Sequence, residues 1–93
     1  MPKSEQVIEF PSELLAKEAA LRAARAAHWD YLRALPSGMN VELTDEQRAE
    51  TARLREAERQ AAHALGTDGY WATLVGPARI EHRAVLTHTV LPE

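Results

Sequence analysis

From Ser12 to Leu35 the chain reads SELLAKEAALRAARAAHWDYLRAL, its longest run without Gly or Pro, with apolar positions recurring every three or four residues. That spacing predicts an α-helix over 12–35 built from strong helix formers, with Ser12 as N-cap and Pro36, Ser37 and Gly38 closing the far end. At about 100° per residue, Leu14, Leu21, Ala24, His28, Tyr31, Leu32 and Leu35 share one stripe, the expected core face. A second flank holds only Ala16, Ala20, Ala23, Ala27 and Ala34, short side chains that let another helix approach closely. The third flank carries Leu15, Glu18, Arg22, Arg25, Trp29 and Arg33. Glu13 with Lys17 and Glu18 with Arg22 have the order and i,i+4 spacing that support a helix.

A second helix is predicted over 44–65. Thr44 and Gln47 form a capping-box pattern, and Asp45 and Glu46 put negative charge at the positive end of the helix dipole. Gly66 is expected as the residue that ends it. Leu54, Ala57, Ala61, Ala64 and Leu65 share a face, with Leu43 just ahead. Such an alanine-rich face buries little area, so this helix depends on its neighbours. The connection over 36–43 is short enough for an antiparallel pair, and Gly38 or Asn40 is free to take a left-handed conformation.

After Gly66 two patterns compete. Thr67 or Asp68 caps a short helix over about 69–75, Gly76 ends it, and Pro77 opens a third helix with the stripe Ile80, Ala84, Thr87 and Leu91. Alternatively Gly76-Pro77 turns a β-hairpin over 70–91, since both flanks are rich in Tyr, Trp, Thr and Val. The first is preferred, which makes the fold all-α: a long antiparallel helical hairpin plus a C-terminal helical segment. The alternative is α+β. Residues 1–11 read as an N-terminal arm, with Val7, Ile8 and Phe10 available to cross a neighbouring helix, and 12–93 as one domain. Tyr70 and Trp71 are expected to close one end of that domain.

Composition narrows the function classes. Of the 93 residues, 45% are hydrophobic, but many of these are alanine and only 5% of the chain is aromatic, so one thin core is expected. A thin core favours self-association, since a partner surface supplies the missing burial. A net charge of −3 lacks the strongly basic face of a dedicated DNA binder. With no cysteine, disulfides, thiol catalysis and thiolate metal sites are excluded. No secretory leader and no run of about 20 apolar residues is visible, so a soluble cytoplasmic protein without a membrane partner is expected. Arg outnumbers Lys nine to two, which reads as the codon bias of a GC-rich bacterial genome.

No stretch carries a catalytic or cofactor-binding signature, and no cofactor is expected. His28 lies on the apolar stripe, where a lone histidine reads as a hydrogen-bonded core residue. His63 has no partner at i+3 or i+4, and His82 and His88 fall on different faces of a helix. Ser4, Ser12 and Ser37 lie in a terminus, a cap and a turn, and no nucleophile elbow or phosphate loop occurs. What remains are surfaces. Trp29, flanked by Arg25 and Arg33 at i−4 and i+4, is arranged for cation–π stacking and resembles an interface anchor. The function predicted is a non-enzymatic interaction or regulatory module. It binds another protein or itself, as a homodimer, through Leu15, Arg22, Arg25, Trp29 and Arg33 or through the alanine flank. The alternative is a nucleic-acid-binding accessory protein in which Arg48, Arg55 and Arg59, aligned on one side of the second helix, contact phosphates.

Overall fold

A computed structural model describes residues 8–38 and 41–91. It comprises helices α1 (Ser12–Ala34), α2 (Asp45–Gly66) and α3 (Pro77–Thr87), with a 3-10 helix at Gly69–Thr73 between the last two. The fold is all-α, a helical hairpin followed by a C-terminal helix, and the β-hairpin over 70–91 does not form. Gly76 explains why. Its φ of 49° turns the chain so that Pro77 enters at the first helical position, where its missing N–H costs nothing. Val7, assigned to the arm, lies outside the described residues.

The capping box at the start of α2 forms as predicted. Thr44 Oγ1 accepts from the Gln47 N–H at 3.0 Å and Gln47 Oε1 accepts from the Thr44 N–H at 2.8 Å. Other local expectations are corrected. Ser12 is the first residue of α1 rather than its cap: extended Pro11 precedes it, with its carbonyl accepting from the Leu15 N–H at 3.1 Å. Gly66 is the last residue of α2 and has no left-handed φ. Thr67 closes that helix instead, its N–H and its hydroxyl both donating to the His63 carbonyl at 2.9 and 2.8 Å. Gly38 does take a positive φ, 143°, and Asn40, the other candidate, lies outside the described residues. Lys17 does not pair with Glu13; its ammonium donates to Asp68 Oδ2 at 2.7 Å and ties α1 to the α2–α3 connection.

The core lies at one end of the hairpin. Leu14 and Leu21 of α1, Leu65 of α2, Trp71 of the 3-10 helix and Leu86 of α3 form a buried cluster, with Phe10, Leu15, Tyr70 and Leu74 packed against it. Asp68 starts the 3-10 helix by accepting from the Tyr70 N–H at 2.9 Å. This drives the Trp71 indole inward, where its N–H donates to the Leu65 carbonyl at 2.7 Å. Phe10 lies 5.7 Å from the Tyr70 ring, so the end of the arm covers the same cluster.

Helix α3 is turned relative to its predicted stripe. Ile80, Ala84 and Thr87 face outward, and Leu91, which lies beyond the helix, is half-buried; Ala78, His82, Val85 and Leu86 face the hairpin. The difference is roughly half a helical turn. Its cause is polar: the Tyr70 hydroxyl sits 2.6 Å from His82 Nδ1, and that register also sinks Leu86 among the core leucines.

Away from this end the hairpin projects alone. The molecule measures 57 × 31 × 28 Å with a radius of gyration of 17.5 Å, against about 12 Å for a compact chain of this length.

Candidate functional site

Helix α1 is the longest element and touches every other layer, so what each side of it does separates structural residues from available ones. Its inner side begins with Leu14 and Leu21 in the core. Between them lies Glu18, a carboxylate only 5% exposed. Arg22 neutralises it, Nε to Oε2 at 2.7 Å, and the same guanidinium donates through Nη2 to the carbonyls of Leu86 at 2.8 Å and Thr87 at 3.1 Å. A pair with the spacing of a solvated helix pair therefore bridges α1 to the last carbonyls of α3.

Farther along, a polar network occupies the seam between α1 and α2. Glu58 faces His28 Nδ1 at 3.0 Å and Arg25 Nε at 3.5 Å. The His28 hydrogen bond, followed by the charges of His28 and Arg25, holds the Glu58 carboxyl below its ordinary value. His28 is thus a seam residue, with its Nε2 buried and without a hydrogen-bond partner among the described residues. On α2 the residues turned toward this seam are Gln47, Thr51, Leu54 and Glu58, of which Leu54 is the apolar one.

The residues predicted to meet a partner divide accordingly. Leu15 packs on the core cluster, Arg22 joins α1 to α3, and Arg25 leans on Glu58. Trp29 and Arg33 remain outside. Trp29 is 62% exposed, and Arg33 forms an exposed i,i+3 pair with Asp30 at 2.6 Å.

The opposite side of α1 is open along its whole length. Ala16, Ala19, Ala20, Ala23, Ala26, Ala27 and Ala34 are all exposed, with Asp30 the one charged residue among them. The expected close neighbour for the alanine flank is not α2, which packs on the leucine side. Along the edge of this face runs a shallow recess of about 220 Å³, lined by Ser12, Leu15, Ala16, Ala19 and Leu91.

On α2, Arg48 pairs with Asp45 and Arg59 with Glu56, both at 2.6 Å, whereas Arg55 has no acidic partner among the described residues. Arg59 and Gln60 hold Glu56 down to about 2. The stripe of three arginines thus carries two neutralising carboxylates beside it.

His82 is half-buried against Tyr70 and Phe10, and burial pushes the Tyr70 hydroxyl up from its ordinary value. Among the described residues no group of three or more His, Asp or Glu is placed to hold a metal ion. No helix there is long and apolar enough to cross a membrane. A second recess, of about 350 Å³, lies between the end of α2 and the start of α3, lined by Gly66, Trp71, Arg79, Ile80 and Arg83, with no histidine and no carboxylate. Sequence inspection passes over Arg79 and Arg83. The signal was present: neither has an acid three or four residues away on either side.

No curated protein and no solved structure matches the chain. A family model described as a domain of unknown function, DUF8825, matches residues 13–89, from the first turn of α1 to just past α3, and the chain belongs to that family.

Proposed function

We propose that this protein is a non-enzymatic interaction module that pairs with a second copy of itself through the open side of α1. The observation carrying this reading is the alanine face on the longest helix, on which Asp30 is the one charged residue. A solvated helix face usually bears Lys, Arg and Glu, and here such residues are concentrated on the exposed side of α2 instead. Small side chains let two backbones approach closely, and a two-fold axis makes one such face sufficient for both copies. An antiparallel crossing centred near Arg22 and Ala23 sets Trp29 of each copy opposite the recess formed by Leu15, Ala16 and Ala19 of the other. The indole supplies the large apolar contact that the alanines lack.

Sedimentation equilibrium tests this directly. The native chain is expected to dimerise, Ala23→Glu to be monomeric with unchanged helicity, and Trp29→Ala to associate at least tenfold more weakly. A native chain that stays monomeric at high micromolar concentration sinks the reading.

A further inference from the structure

We propose that the recess between α2 and α3 is a binding site for a small organic monocarboxylate carrying one compact apolar group. The site is independent of the self-association face. Its volume, about 350 Å³, lies at the lower end of the range for small-molecule sites, about 300–1,000 Å³.

The floor is preformed. Trp71 is anchored by its indole N–H to the Leu65 carbonyl at 2.7 Å, so it cannot fold away when the recess is empty or filled. Ile80 stands as one wall, 74% exposed among the described residues. Gly66 forms the other wall with bare backbone: a Cβ placed there meets no atom within 4 Å, so open space begins at the main chain.

The charge at this site is unusual for the molecule. Arg22, Arg25, Arg33, Arg48, Arg53 and Arg59 each have a carboxylate partner. Arg79 and Arg83 have none among the described residues, although acids outnumber bases 14 to 11 along the chain; Arg55 on α2 also lacks one, but it stands alone and does not line this recess. Spaced i,i+4, the two project from the same side of α3. Arg83 is held 5.6 Å over the Trp71 ring, and Arg79 Nη2 donates to the Leu74 carbonyl at 3.0 Å. Both guanidinium groups are therefore positioned with donors to spare, and planar forks of this kind match a carboxylate. An apolar floor and wall beneath two positioned guanidinium groups suit a ligand with an apolar body and a single anionic end.

The test is a titration of the full ¹⁵N-labelled chain with 4-phenylbutyrate, with 4-phenylbutyramide as the uncharged control. The expected result is one saturating isotherm, shared by the Gly66 amide, the Trp71 indole N–H and the Arg79 and Arg83 side-chain N–H groups, which the amide does not reproduce. The double variant Arg79→Gln/Arg83→Gln should weaken binding at least tenfold. Gly66→Leu, which fills the recess from a position outside the core, should abolish it while circular dichroism and melting stay unchanged. Absence of saturation, equal binding of the amide, or binding that survives Gly66→Leu overturns the proposal.

Discussion

The two ends of the α1–α2 hairpin are made from the same pair of helices and are held in different ways. At the closed end, α2 turns Ala61, Ala62 and Leu65 inward, and a third layer consisting of Trp71 and Leu86 completes the cluster with Leu14 and Leu21. At the projecting end, α2 turns Gln47, Thr51 and Glu58 inward, and no third layer arrives. Leu54 is buried there while Leu32 and Val41 are exposed. Pairing of two helices therefore does not by itself make a core. Burial follows where a third element brings apolar volume, and elsewhere the seam relies on His28, Arg25 and Glu58, whose net contribution is modest because water reaches the group.

The comparison is broken most directly by cavity formation. Leu86→Ala should cost about 2–5 kcal/mol in guanidinium unfolding, since it empties a fully buried position, whereas Leu32→Ala should cost about 1 kcal/mol or less. Equal losses would show that the ends are equivalent. Gly76→Ala, next in size, should cost about 1–2 kcal/mol: a Cβ at this position meets no neighbour, so the penalty is the positive φ alone. It acts on the closed end by misdirecting α3, and amide exchange should rise in residues 77–87 and not in 25–33.

A smaller effect, at the projecting end, depends on pH. Glu58 and Glu56 both have folded values below their ordinary one, Glu56 at about 2, so the stability they lend is present above about pH 4.5 and lost as pH falls. In an NMR pH titration the amides of residues 25–33 should move within that acid range, and Glu58→Gln should abolish the movement. Asp68 at the closed end, held low by its hydrogen bond from Lys17, should give a separate response around Leu65 and Tyr70 that Glu58→Gln leaves unchanged. Smallest of all is Arg33→Ala, expected to change thermal stability by less than about 0.5 kcal/mol, because its pair with Asp30 is solvated on both sides.

The hairpin was legible because its signals are local. A Gly-free, Pro-free run, a Thr44–Gln47 capping box and a Gly-Pro boundary at 76–77 each act within a few residues. Leu14 and Leu21 followed from periodicity for the same reason, whereas Leu32, on the same predicted stripe, is exposed because it lies at the end without a third layer. Two features were not legible. The rotation of α3 is decided by Tyr70 meeting His82, a contact with no trace in the spacing of Ile80, Ala84 and Thr87. The roles of Arg22 and Lys17 depend on carbonyls and a carboxylate far along the chain, at Leu86, Thr87 and Asp68, whereas their sequence neighbours point to ordinary helix-surface pairs. On the candidate surface, periodicity separated the three flanks of α1, but which flank stays open was settled by where α2 and α3 dock.

The grip of Arg22 on the end of α3 also orders the assembly of the chain. Its partners at Leu86 and Thr87 are 64 and 65 residues downstream, so they are the last groups to be synthesised among those that complete the closed end. Before α3 docks, α1 and α2 have chiefly each other to pack against. Until then the Glu18–Arg22 pair stands in water and Leu14 and Leu21 lack their lid. The hairpin without α3 would leave this apolar patch uncovered, so the closed end is complete only once Leu86 is in place.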